Sequence, residues 1–206
     1  MAELTLRPAR VTDSKLVAPL LYESAAGMYD RFAGNRKRAL RLLERSVDEP
    51  GNSSSSEVVT VAELDERVVG ALAAFPVGEA ASRSRAFLRL SLRSTPPWRW
   101  LGVVWLFWAG AHATPSPPEE TLYVDALAVD AGARRQGAAR ALLAEAEREA
   151  RERGLPAVSL DTALDNKAAR SLYLSAGFDE VAYRPPGRGL PGFVALVKRV
   201  GPAPAS

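Results

Sequence analysis

The sequence has no cysteine and a single histidine, His112. Those absences exclude disulfides, thiolate nucleophiles and cysteine-based metal sites, and they leave no set of histidines from which to build a metal centre. No metal is expected. Charge of one sign is not concentrated either: 27 Lys and Arg are interleaved with 24 Asp and Glu, and no arm or polybasic tract forms. The net charge of +3 and pI near 9.4 therefore read as a mixed solvated surface, and a nucleic-acid partner is not expected. A membrane-spanning helix needs roughly 20 apolar residues; the candidate run, Trp98 to Ala111, has 14. The start, MAELTLRPAR, carries charges where a signal peptide needs an apolar core, so the cytoplasm is the expected location.

What is present suits one globular domain. The chain has 206 residues, 47% apolar and 25% charged, enough for one sizeable core and short for two. Residues 1–200 are read as that domain, with GPAPAS at 201–206 as a disordered tail. Leu4 to Arg7 alternates as a strand, Thr12 or Asp13 is placed to cap a helix through Tyr22, and Asn35 to Val47 has helical spacing. Pro50-Gly51-Asn52 and four serines break the chain as a loop within the domain. Glu57 to Leu64 and Arg67 to Pro76, separated by Asp65-Glu66, predict a hairpin.

The second half is more regular. Leu122 to Val129 predicts a strand, and a helix opens at about Gln136 with Ala139, Leu142, Leu143, Ala146 and Ala150 on one stripe. Glu147 with Arg151 and Glu149 with Arg153 form i,i+4 pairs on its outer side, and Gly154 closes it. Ala157 to Leu164 predicts a strand, Asn166 to Ala176 a short helix, and Val181 to Arg184 and Phe193 to Arg199 two more strands. The order implies a mixed sheet wrapped by helices.

Between the strand and the long helix lies a basic, glycine-containing loop, Arg134-Arg135-Gln136-Gly137-Ala138-Ala139. Free N–H groups and the aligned peptide dipoles at a helix N-terminus favour an anion, and phosphate is the natural guest. Gly137 permits close backbone approach, and the arginines offer charge-assisted contacts. The same loop also reads as a plain turn bearing surface arginines. It is not a P-loop, since no Gly-Lys-Ser/Thr follows, and it lacks the three-glycine dinucleotide fingerprint.

Two stretches in this order and spacing, together with the hairpin before them, resemble the GNAT superfamily of acyl-CoA-dependent N-acetyltransferases. LYVDALAVDAGARRQGAARALLAEA is similar to the superfamily's strand, Arg/Gln-x-x-Gly-x-Gly/Ala loop and helix, with Ala139 in the place of the last Gly. SLDTALDNKAARSLYLSAGF is similar to its Asn, Ala-x-x-Leu-Tyr and Gly-Phe pattern, here Asn166, Ala169, Leu172, Tyr173, Gly177 and Phe178. The resemblance covers residues 4–79 and 121–199, and 80–118 lies outside it. It implies an α/β (α+β) fold: a mixed, mostly antiparallel sheet of about six to seven strands flanked by helices, with a Trp-rich helical insertion before the fourth strand.

The resemblance also implies roles. Acetyl-CoA would be the cosubstrate, its pyrophosphate held by the amides from Arg135 to Ala139 with Arg134 beside them. The backbone of Leu127, Ala128 and Val129 would pair with its pantetheine arm, which Asn166 and Ala169 would border. Tyr173 would protonate the departing thiolate, and Asp125 would take the proton of the attacking amine through water; each residue type suits that role, and each also has a purely structural reading, packing for Tyr173 and a salt bridge or loop cap for Asp125. Glu119 and Glu120 are further base candidates. The acceptor would be a primary amine of a small molecule or a protein. A non-catalytic acyl-CoA sensor on the same fold is the alternative, because fold does not fix function.

The run Trp98 to Ala111 holds all four tryptophans and one charge. Its apolar residues spread nearly all round a helix, as for a piece buried on more than one side. Three readings stand: core or a contact between two copies in a homodimer; a wall of the acceptor pocket, through Trp98, Trp105 and Trp108; or a membrane-surface anchor. His112 reads as structural, and Arg83, Arg85, Arg89 and Arg93 as facing water.

Overall fold

A computed structural model describes residues 3–187 and 189–201. The strands are β1 (Leu4–Pro8), β2 (Val59–Leu64), β3 (Arg67–Pro76), β4 (Thr121–Val129), β5 (Ala157–Ala163), β6 (Asp179–Arg184) and β7 (Phe193–Arg199). The helices are α1 (Ser14–Ser24), α2 (Ala26–Ala33), α3 (Arg36–Asp48), α4 (Val77–Arg93), α5 (Trp100–Ala113), α6 (Ala138–Glu152) and α7 (Lys167–Ser175). The seven strands form one sheet in the order β1-β2-β3-β4-β5-β7-β6. Among the described residues β4 and β5 run parallel and the other neighbours antiparallel.

Local chemistry explains the elements. Asp65 and Glu66 both adopt left-handed backbone (φ 48° and 64°), the geometry that matches a two-residue turn to the twist of β2 and β3. Asn35 caps α3, its side chain accepting from the Arg38 N–H at 3.0 Å. Asp13, by contrast, makes no side-chain cap for α1: its carboxylate is taken by Arg7 (2.6 Å) and the Arg10 N–H (2.8 Å). The helix α2 has no counterpart in the sequence reading, because eight residues with Gly27 in the first turn carry a weak pattern.

Two cores lie on opposite faces of the sheet. One packs α6 and α7 through Ala138, Leu142, Leu143, Ala146 and Tyr173; the other packs α1, α3 and α4 through Val17, Leu21, Leu43 and Phe87. Burying either set is worth roughly 1.5–3 kcal/mol per large side chain. Glu147 departs from the expected outer position: it is buried, and its carboxylate takes both Arg151 (3.3 Å) and Lys198 (2.5 Å).

A third, smaller cluster joins α5 to α2 and to the β6–β7 loop through Val103, Leu106, Ala109, Phe32 and Leu190. The expectation that the Trp run is buried on more than one side is corrected here. Those three α5 residues are buried, whereas Trp98, Leu101, Val104, Trp105 and Trp108 are exposed. The expected tail beyond Gly201 lies outside the described residues.

Candidate active site

The geometry starts from an irregularity in β4. Ala73 pairs with Ala126 but Ala74 pairs with Val124, so Asp125 is an extra residue, a β-bulge. The bulge inverts the side-chain alternation: Leu122 and Val124 enter the α6 core, then Ala126 enters the opposite one. The bulge also coincides with a parting of strands. Pairing between β4 and β5 runs from Thr121 with Ala157 to Val124 with Leu160, and beyond it β4 pairs with β3 while β5 pairs with β7. One edge of Leu127, Ala128 and Val129 is thereby left without a strand partner.

The loop Arg134 to Ala139 sits at the end of that half-strand. Arg135 and Gly137 both have left-handed backbone (φ 65° and 91°), an alternation that turns successive N–H groups into one concavity, and Gly137 is the N-cap of α6 with no side-chain cap. A Cβ built on Gly137 would meet nothing within 4 Å, so glycine is required there by its φ and not by crowding. Arg134, Arg135, Gln136 and Gly137 are exposed, while Ala138 is buried under the first turn and Ala139 half-buried. Backbone N–H groups turned this way at a helix N-terminus suit an anion.

Five ionisable groups act on one another around the parting. Asp125 has solvent-exposed surface, and desolvation of its carboxyl by the groups around it, then the charge of Asp161, pushes that carboxyl up to about 7. The Ser53 hydroxyl works against that shift. Burial pushes the Asp161 carboxyl up to about 6, partly offset by the Tyr123 phenol, which donates to it. Tyr173 is 7% exposed, and burial followed by the nearby Asp161 charge pushes its phenol up to about 12. Tyr123 and Tyr29 are likewise held protonated, with Asp125 among the charges acting on both.

The sequence reading named Asp125 and Tyr173, and the charge of Asp161 acts on both. It missed Asp161, Tyr123, Tyr29 and Ser53. A signal for Asp161 existed, since it is the one charge in the run Ala157 to Ala163. Ser53 comes from the serine loop, fixed by the buried Asn52: its amide donates to Ser46 O (2.8 Å) and Glu49 O (2.6 Å), and its oxygen accepts from the Ser54 N–H (2.9 Å). Asn166 is the N-cap of α7, accepting from Ala169 N–H at 3.2 Å. Trp98, Trp105 and Trp108 lie on the outer side of α5, and His112 Nδ1 lies 2.7 Å from Trp108 O. Glu119 and Glu120 are exposed before β4. Among the described residues no group of acidic or histidine side chains is placed to hold a metal ion.

The profile of the acetyltransferase (GNAT) family matches residues 30–178, well over half of the chain. The chain belongs to that family. Among curated protein sequences none matches significantly. Solved structures agree on the fold: an N-acetyltransferase from Staphylococcus aureus Mu50 superposes with a TM-score of 0.74 at 19% identity, over 94% of this chain and 100% of that one. The ribosomal-protein-S18-alanine N-acetyltransferase of Escherichia coli (TM-score 0.53, 16% identity, 98% and 97% covered) and an agmatine N-acetyltransferase (0.54, 18%, 95% and 99%) are also similar. One of these GNAT neighbours is named for a protein acceptor and the other for a small amine, so the fold leaves the acceptor open.

Proposed function

We propose that the protein is an N-acetyltransferase that moves an acetyl group from acetyl-CoA to a primary amine of a small molecule or protein, by direct attack in a ternary complex. The observation that carries this reading is the opening between β4 and β5 after Val124. An anion cradle lies at one end of it and a raised carboxyl with a protonated phenol at the other. Amides of Arg135 to Ala139 would hold the pyrophosphate, and the free edge of Leu127 to Val129 would bond the pantetheine as an added strand does.

In the chemical step the amine nitrogen forms a bond to the thioester carbonyl carbon and the C–S bond breaks, leaving an amide and a thiolate. Asp125, with its carboxyl near 7, is half ionised at neutral pH and matched to accept the ammonium proton, directly or through water. Tyr173 keeps its proton because of burial and the Asp161 charge, and it offers that hydrogen to the departing sulfur. Burial is the larger cause of both shifts, and the charge of Asp161, which accepts a hydrogen bond from the Tyr123 phenol, adds to each.

An amine panel assayed for free thiol release tests the reading. Release with at least one amine, and initial-rate lines that intersect, is expected. Parallel lines would overturn direct attack. Tight acetyl-CoA binding with no release across the panel would overturn catalysis and favour a sensor.

A further inference from the structure

The charge distribution in one segment differs from that of the chain. Residues 80–118 contain five arginines, all four tryptophans and no aspartate or glutamate. Position 98, in the turn before α5, and positions 101, 105 and 108 on α5 follow one another at helical spacing. Trp98 is 83% exposed and Leu101 87%, and Trp105 and Trp108 are about half exposed. Contiguous apolar surface of this kind marks a contact site. The helix behind it is firmly seated: Trp100 Nε1 donates to Leu92 O and Thr95 O, both at 3.1 Å, and Val103, Leu106 and Ala109 are buried against α2 and the β6–β7 loop.

The arginines border that stripe. On α4, Leu88 and Leu92 turn toward α5, and Arg85 and Arg89 lie a fraction of a turn further round, both exposed. We infer that the outer face of α5, with Arg85 and Arg89 beside it, docks on the surface of an anionic lipid bilayer. Tryptophan suits the headgroup level, where its ring is apolar and its N–H is wet. Arginine suits the negative surface potential. No helix among the described residues is long and apolar enough to cross a membrane, so α5 lies in the plane of the interface. A second copy is a poor occupant: two-fold pairing of this face would bring arginine rows together with no carboxylate of the segment to answer them.

Because all four tryptophans fall between 98 and 108, intrinsic fluorescence reports this segment alone. The full chain is mixed with vesicles of phosphatidylcholine, or of phosphatidylcholine with phosphatidylglycerol, and with the same lipids brominated in their acyl chains. Sedimentation with the mixed vesicles, a blue shift and quenching by bromine are expected, all weakened by salt. The exposed substitutions Leu101→Glu with Val104→Glu, and Arg85→Glu with Arg89→Glu, should each weaken vesicle binding at least about tenfold. Acetyl-CoA binding should be unchanged in both, which separates this inference from the proposed catalysis. No sedimentation with mixed vesicles, or sedimentation without quenching, would overturn it. So would a concentration-dependent dimer abolished by Leu101→Glu, or a fluorescence response to single-stranded DNA alone.

Discussion

Replacing Asp125 by Asn isolates the carboxyl on which the proposed proton transfer depends. Its carboxyl is pushed up to about 7, so wild-type kcat/KM should rise through that pH as Asp125 ionises. A positioned general base contributes about 10²–10⁴-fold. Asp125→Asn should therefore lower kcat/KM about 10²-fold at pH 7, with the deficit shrinking at high pH, where the acceptor sheds its own proton to solvent. Stability should move the other way. A carboxyl raised in the folded state is neutral and harmless below its unfolded value of 3.8; its cost grows as pH rises from there and is complete above about 7. At full strength that penalty would be about 4 kcal/mol, but solvent reaches Asp125, and the screened cost is about 1 kcal/mol. Asp125→Asn should then melt about 2–4 °C higher than wild type at pH 8 and match it at pH 4. Initial rates from pH 5.5 to about 9.5 and paired melts form the assay. An unchanged pH profile in the variant would refute the base, and an unchanged melting difference between the two pH values would refute the raised carboxyl.

The other predictions are simpler. Tyr173→Phe should lower turnover with little change in acetyl-CoA affinity, and an equal kcat would remove Tyr173 as the donor. Gly137→Glu should abolish acetyl-CoA binding, since it sets a carboxylate at the anion cradle, whereas Gly137→Ala should retain binding and lose about 1–2 kcal/mol of stability to its φ; calorimetry and thermal melts read these. Asn52→Ala removes three hydrogen bonds from a buried loop. It should cost about 3 kcal/mol, and by freeing Ser53 from its place it should also move the Asp125 limb of the pH profile upward, because Ser53 holds that carboxyl down.

Local signals made much of this legible. The hairpin turn at Asp65-Glu66 and the loop that opens α6 are each written in a few adjacent residues, and each appears where the spacing put it. Asp125 was legible as a carboxylate on the strand before that loop. The bulge that frees it was not, because a bulge exists only in the pairing of β4 with β3. Tyr123 and Ser53 were hidden for the same reason, and the lone charge in β5 marked Asp161 without showing what it meets, because no periodicity encodes such meetings. The outward turn of α5 was also concealed. A helix apolar on nearly every side gives no phase from which to choose its buried face, and the contacts to Phe32 and Leu190 make that choice.

The central claim is that the parting of β4 from β5 beyond Val124 binds an acyl-CoA. Calorimetric titration of wild type and Gly137→Glu with acetyl-CoA tests it most directly. Saturable one-to-one binding to wild type, lost in a Gly137→Glu variant that still melts cooperatively, is the predicted result. Absence of binding to wild type, or equal binding by both proteins, would contradict it.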